Sequence, residues 1–205
     1  MPTTTNNGWP TPADTDLVKN GADAIRDLGN AIDTTLGVYS PATPGLVKIN
    51  TTSFSGVTSQ SFNDVFSATY KSYMIVISNL TCATNDNLLN MRLRVSGADN
   101  SSSNYENGRL FVGAYSLTTF GSANSDLLSF WNIGRMNNTI QQGGTIFIHN
   151  PFLTANTIKT NLWAGYSFEA SGGVTTVTTS YTGFTLLPND GGNIAATVTI
   201  YGLAE

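Results

Sequence analysis

The sequence has little charge and few of the side chains on which enzymes depend. Asp, Glu, Lys and Arg make up 11% of its 205 residues, less than half of the roughly 25% typical of soluble domains. It has one cysteine, Cys82, and one histidine, His149. A single cysteine excludes an intrachain disulfide and a cysteine metal cluster. Stability is therefore expected to come from packing or from neighbouring subunits.

Two further features are missing, and each removes a class of partner. Nine bases against 13 acids give a net charge of −4, and no basic cluster is present that would release counterions from a phosphate backbone. No apolar run approaches the roughly 20 residues of a membrane span, and the N-terminus lacks the features of a secretion signal. We therefore expect no nucleic-acid partner, no membrane partner and assembly in the cytoplasm.

Short neutral polar residues take the place of charge, since 70 of the 205 residues are Thr, Asn or Ser. Thr favours strands because its branched Cβ suits a pleated surface, whereas Asn and Ser favour turns. Hydrophobic residues at 40% and aromatic residues at 10% are ordinary for a globular fold. The composition indicates a folded β-protein.

The N-terminal region is predicted to hold an arm and one helix. Residues 1–13 contain three prolines and are expected to be extended; Trp9 in this arm either packs on its own subunit or docks into another protein. Residues 14–37 form an amphipathic helix, with Asp14 or Thr15 as N-cap and Gly37 at its end.

One apolar stripe runs along this predicted helix. It consists of Val18, Gly21, Ile25, Leu28 and Ile32. An amphipathic helix needs a partner surface, which is either the chain's own β-domain or the helices of other copies. The heptad spacing and the small residues beside the stripe favour oligomerisation, although the stripe is shorter than a secure coiled coil.

A Pro/Gly-rich linker at residues 38–45 precedes a predicted β-domain at residues 46–205. About ten apolar segments alternate there with turn clusters, among them Tyr73–Leu80, Leu88–Val95 and Asn161–Phe168. Strands without helices between them must pair antiparallel, because parallel pairing needs long crossovers. The predicted fold is mainly β: an antiparallel jelly-roll-like β-sandwich with one short N-terminal α-helix.

No residue of the sequence stands out as catalytic, cofactor-binding or metal-binding. No Gly-x-Ser-x-Gly pattern accompanies His149, so a structural role is expected for this residue. The carboxylates lie mostly in turns, and no pair stands out for glycoside hydrolysis. Tyr105, Phe120, Trp131 and Tyr181 lie near polar turns, where they either contact a glycan or fill the sandwich core.

The segment Trp9–Asp33, WPTPADTDLVKNGADAIRDLGNAID, resembles a segment near the N-termini of tailed-bacteriophage virion structural proteins, such as tail-fibre and minor tail proteins. In the β-region, FSATYKSYMIVISNL, LLNMRLRVSGADNSSSNY and the terminal ATVTIYGLAE look like the C-terminal β-domains of phage appendage proteins. The two resemblances together cover about half of the chain.

The resemblance implies a non-enzymatic virion protein without a cofactor, a short tail-fibre or appendage component. It implies a homo-oligomer, expected to be a trimer, with bundled N-terminal helices, displayed β-sandwiches and other tail or capsid proteins as partners. The alternatives are a tip protein that binds a receptor or host surface glycan, and a capsid decoration or head-fibre protein. A depolymerase is the third, least favoured interpretation.

Overall fold

The computed structural model describes residues 3–5, 7–13, 17, 20–38, 45–113 and 119–204. The chain divides into two compact units, residues 1–44 and residues 45–205, which we call the N-terminal unit and the β-unit. The division falls at the end of the Pro/Gly-rich segment in which a linker was expected.

The helix of the N-terminal unit, α1, spans Gly21–Val38 and begins later than the sequence predicted. Leu17 is not helical; its carbonyl accepts a 2.8 Å hydrogen bond from the amide of Asn20. The helix therefore starts directly after an asparagine, one of the residues preferred at the N-cap. The expected caps, Asp14 and Thr15, and the stripe residue Val18 lie outside the described residues.

Thirteen strands are described, all in the β-unit. They are β1 Gly45–Val57, β2 Gln60–Phe62, β3 Ser72–Cys82, β4 Asn87–Val95, β5 Ala98–Asp99, β6 Tyr105–Gly113, β7 Thr119–Leu128, β8 Trp131–Met136, β9 Gln142–His149, β10 Ile158–Ala164, β11 Ser167–Thr175, β12 Gly183–Pro188 and β13 Ile194–Ala204.

These strands form two antiparallel sheets. The larger sheet has the order β1-β13-β3-β9-β10-β11-β6-β7, and the smaller one has the order β2-β12-β4-β5 with β8 also paired to β4. Alternate apolar side chains of both sheets meet in one core, including Ile75, Ile146 and Val198 from the larger sheet and Leu93 and Phe184 from the smaller. The predicted mainly β, antiparallel sandwich with a single helix is confirmed.

The sequence misplaced one strand boundary that matters for function. The segment Asn161–Phe168 was predicted as one strand, but the chain turns at Gly165 and Tyr166, between β10 and β11. Both strands carry alternating side chains, so the apolar pattern runs through the turn without a visible break. Register pairs Leu162 with Ala170 across this hairpin.

Candidate interaction surfaces

Helix α1 carries large apolar side chains that are exposed. Ile25 is 69% exposed and Leu36 is 61% exposed, whereas Ala24 is buried. Gly21, Leu28 and Ile32, the other described members of the predicted stripe, are half-buried. The edge of the stripe that carries Ile25 and Leu36 is thus available for contact with another molecule.

Trp9 is half-buried and belongs to a tight turn of the arm. The amide of Thr4 donates to the carbonyl of Trp9 at 2.8 Å, and the amide of Trp9 donates to the Thr4 hydroxyl at 3.0 Å. The indole N–H donates to Oγ1 of Thr35 on α1, also at 3.0 Å. The polar atom of Trp9 is therefore engaged within its own subunit, as expected from the first of the two interpretations of this residue.

The rings near polar turns fill the core, which is the second of the two interpretations of these residues. Tyr105, Trp131 and Tyr181 are fully buried, so the alternative of a glycan contact is wrong for these three residues. Their polar atoms have partners inside the fold: the Tyr105 hydroxyl donates to the carbonyl of Asn100 at 2.8 Å, and the Trp131 indole donates to the carbonyl of Glu106 at 3.1 Å. The side chain of Phe120 lies outside the described residues.

His149 faces Ser72 across the β3–β9 pair. The two residues are direct partners in the register, and 2.9 Å separates the Ser72 hydroxyl from Nδ1 of His149. A cross-strand pair of this kind accounts for a polar histidine at a strand end. In the described part of the chain, no hydrogen bond joins the His149 ring to a carboxylate, so the geometry does not assemble a Ser–His–acid relay.

Three neighbouring strands, β10, β11 and β6, place polar side chains toward the core. Lys159 and Asn161 on β10 are buried, as are Glu169 on β11 and Asn107 on β6. This pattern is the reverse of ordinary sandwich strands, in which apolar residues face inward and polar residues face water. Buried polar groups are tolerated only where they are hydrogen-bonded.

Lys159 has a complete set of acceptors at the end of its buried side chain. Its Nζ donates to Oδ1 of Asn107 at 2.9 Å, to the carbonyl of Asn132 at 2.9 Å and to Oγ of Ser171 at 2.7 Å. Three donors fit an ammonium group. Burial nevertheless lowers the pKa of Lys159 to about 7, with a further lowering from the charge of Arg109.

Glu169 is the one acidic group among the buried side chains of these strands in the described residues. Its Oε1 accepts from the Ser167 hydroxyl at 2.7 Å and from the amide of Arg135 at 2.9 Å, and Oε2 lies 3.6 Å from Nη1 of Arg109. The guanidinium groups of Arg109 and Arg135 lie 5.0 and 5.4 Å from the centre of the Phe111 ring. The carboxylate and this ring together offset the charge of Arg109, whose side chain is 11% exposed, while the guanidinium of Arg135 also pairs with Asp86 at 2.6 Å.

The outward side of the same strands is apolar and open. Leu110 on β6 is 50% exposed, Ile158 and Leu162 on β10 are 43% and 55% exposed, and Phe168 on β11 is 56% exposed. With the outward-facing Phe147 of β9 they form what we call the outer patch. Sequence reasoning missed this surface, because the alternation in Ile158–Ala164 indicates two faces without showing which of them is buried.

Two glycines deepen the centre of the outer patch. Register places Thr160, Gly172 and Gly108 side by side on β10, β11 and β6. The missing side chains leave a shallow depression of about 610 Å³, with Leu110, Phe147 and Leu162 among its lining residues. A Cβ at Gly108 would meet no atom within 4 Å, so the depression is open space and not a packing requirement of the monomer.

Compared with known proteins, the chain matches no family model and no curated protein sequence. Within the described residues, no helix is both long and apolar enough to cross a membrane. No group of three or more His, Cys, Asp or Glu side chains in that same part of the chain is placed to hold a metal ion.

Proposed function

We propose that this chain is a non-enzymatic structural protein of a tailed-bacteriophage virion, a short tail-fibre or appendage component. In this proposal the N-terminal helix associates with the helices of other copies, as a trimer, and attaches the assembly to the virion. The β-sandwich is the displayed part. The resemblance of Trp9–Asp33 to phage virion proteins motivates the proposal.

The observation that carries the proposal is the exposed apolar edge of α1. Ile25 and Leu36 lie eleven positions apart, a spacing that keeps both on one side of a helix, and both are more than half exposed. Isolated helices of this length are marginal in water, and apolar residues on one face are stabilised by burial against a partner. Contact with other copies supplies that burial and gives the separate N-terminal unit a function.

The alternative of a glycan-binding tip is not supported by the three residues considered as glycan contacts, because Tyr105, Trp131 and Tyr181 are buried. The alternative of a capsid decoration or head-fibre protein shares the same helix and sandwich. The two virion locations differ in where the copies lie and in their symmetry, not in the chemistry of the chain.

The test is to locate the chain on purified particles. Antibodies against the β-unit and mass spectrometry of gradient-purified virions should detect the protein in stoichiometric amounts, and a cryo-EM map should place copies around a symmetry axis on an appendage. Density on the capsid lattice would select the head location. A protein that is abundant in infected cells but missing from purified virions would overturn the proposal.

A further inference from the structure

Polar and apolar side chains alternate along β10, β11 and β6. On the inward side of the sheet, the polar side chains bond to one another and to the backbone of β8. On the outward side, none of the side chains that the structure describes covers Leu162 and Leu110, which stand in one row with Ala170 across the three strands. Exposed apolar patches of this kind mark interaction sites in soluble proteins.

The size of the outer patch fits the centre of a protein interface. The half-exposed Leu110, Ile158, Leu162 and Phe168 leave an apolar area on the order of a few hundred Å² open to water. A standard interface buries about 800 Å² per partner, somewhat more than half of it apolar. The outer patch can therefore form the apolar centre of such an interface, with its surroundings supplying the rest.

The charge of the outer patch indicates what kind of partner fits. All the outward positions on β10 and β11 are uncharged: Ile158, Thr160, Leu162 and Ala164 on the first strand, and Phe168, Ala170, Gly172 and Val174 on the second. On β6 the one charged residue of this face is Glu106, which pairs with Val174 at the edge of the patch. The centre of the patch carries no charge, so it gives no electrostatic selection for a charged partner and no repulsion of its own copy.

We infer that a second copy of this chain packs on the outer patch, so that β-units associate through the outward faces of β10, β11 and β6. The depression over Gly108 and Gly172 receives apolar side chains of the neighbouring copy. This inference rests on the proposed function, in which the protein works as a homo-oligomer, and it names a second subunit contact besides the helix. The expected β-unit contact buries Leu162 and Phe168 in both copies.

Site-specific cross-linking tests the contact on the full chain. In a Cys82→Ser background, Thr160→Cys places a thiol in the outer patch, and the matched control Thr51→Cys places one on the same face of the sheet but four strands away, on β1. A short bis-maleimide should cross-link the Thr160→Cys protein at micromolar concentration and leave the control mostly uncrosslinked. Equal cross-linking of both proteins, or of neither, would overturn the inference.

A second pair of variants measures the strength of the contact. Leu162→Thr with Phe168→Thr keeps strand-forming residues but removes apolar surface, and we expect the dissociation constant of the oligomer to rise at least about tenfold in sedimentation equilibrium. Leu46 is a 51% exposed leucine of β1 on the same face of the larger sheet, and Leu46→Thr should leave the dissociation constant of the oligomer unchanged. An oligomer that survives the double substitution with the wild-type dissociation constant would contradict the inference.

These outcomes separate the inference from the proposed function. If the outer patch proves inert while the chain is found on purified virions, the inference fails and the function stands. If Thr160→Cys cross-links but the chain is absent from virions, the interface stands and the virion function fails.

Discussion

The Nζ atom of Lys159 lies 2.9 Å from the carbonyl oxygen of Asn132, so a side chain of the larger sheet is bonded to the backbone of β8 in the smaller one. Two further residues of β10 repeat this contact: Asn161 donates to the carbonyl of Ile133, and Trp163 donates to the carbonyl of Arg135. Among the described strands β8 pairs with β4 alone, and these donors bond its backbone from the opposing sheet. The inward polar residues of β10 are thereby explained.

Lys159 should make the stability of the fold depend on pH. Its pKa falls from 10.5 to about 7 on folding, so between these values the unfolded chain binds more protons than the folded one. The free energy of unfolding should therefore rise as pH increases from about 7 toward 10, by at most about 1.4 kcal/mol per pH unit. Urea denaturation at several pH values measures this slope.

Two variants isolate the contribution of Lys159. Lys159→Met removes the titrating group and should flatten the rise between neutral and alkaline pH. Lys48→Met removes an exposed lysine on β1 and should keep the wild-type slope. Parallel curves for the wild type and Lys159→Met would show that the ammonium stays charged throughout, held by its three acceptors.

Replacing Glu169 by glutamine should leave Arg109 without its countercharge. The carboxylate of Glu169 is 1% exposed and the Arg109 side chain is 11% exposed, and removing one partner of a buried ion pair costs about 3–5 kcal/mol. We expect Glu169→Gln to lower the free energy of unfolding by about 3 kcal/mol, at the low end because Arg109 also contacts Phe111. Glu106→Gln, the same change at a half-buried position on β6, should have little effect in the same denaturation experiment.

Two glycines should respond oppositely to a methyl group. A Cβ on Gly134 would fall on ring atoms of Trp163, whereas a Cβ on Gly108 would meet nothing within 4 Å. Overpacking typically costs about 1–3 kcal/mol, so Gly134→Ala should lower the melting temperature and Gly108→Ala should not. If the outer patch is a subunit contact, Gly108→Ala should instead weaken the oligomer, which sedimentation of the intact variant would reveal.

The sequence predicted the class of fold well because its signals are local. Turn clusters between apolar segments indicate antiparallel strands, and the apolar run Tyr73–Ile77 lies in β3, between β13 and β9. Only one face of this strand is buried, the one with Tyr73, Ile75 and Ile77. The first residue of α1 was harder to predict from the sequence, because both Asp14 and Asn20 are good N-caps and the sequence does not show which of them is used.

The sequence could not say which side of β10 faces the core. In Ile158–Ala164 apolar residues occupy both alternating sets, with Ile158 and Leu162 in one and Trp163 in the other. A strand's alternation identifies two faces, but contacts with the second sheet decide which one is buried. Here the donors Lys159 and Asn161 bond the backbone of β8 and face the core, and Ile158 and Leu162 are left outside.

The sequence left the aromatic rings between two interpretations, glycan contact and core, for a related reason. Tyr105, Trp131 and Tyr181 lie close to polar turns in sequence, which is also where exposed rings occur. Each ring found a backbone or amide partner within the fold, as with the Tyr181 hydroxyl, which accepts from Asn100 Nδ2 at 2.6 Å. Sequence proximity to a turn does not distinguish a ring that points outward from one that caps the core.

Ile25 provides the most direct test of the N-terminal helix as a seam between copies. Its side chain is 69% exposed, and burying a large aliphatic side chain contributes about 1.5–3 kcal/mol. Roughly two thirds of the side chain can be buried only when copies associate, so most of this free energy would stabilise the oligomer. Ile25→Asn should therefore raise the dissociation constant of the oligomer by about tenfold or more, at 1.4 kcal/mol per factor of ten. Sedimentation equilibrium on the full chain measures the change.

The neighbouring Arg26→Asn is the matched control, since it introduces the same residue one position further along α1. Arginine is the better helix former of the two replaced residues, and the exposed ion pair of Arg26 with Asp23 adds little stability. The control therefore weakens the helix at least as much as Ile25→Asn but leaves the apolar edge intact. If both variants dissociate equally, helix stability governs assembly; if only Ile25→Asn does, the apolar edge is the contact.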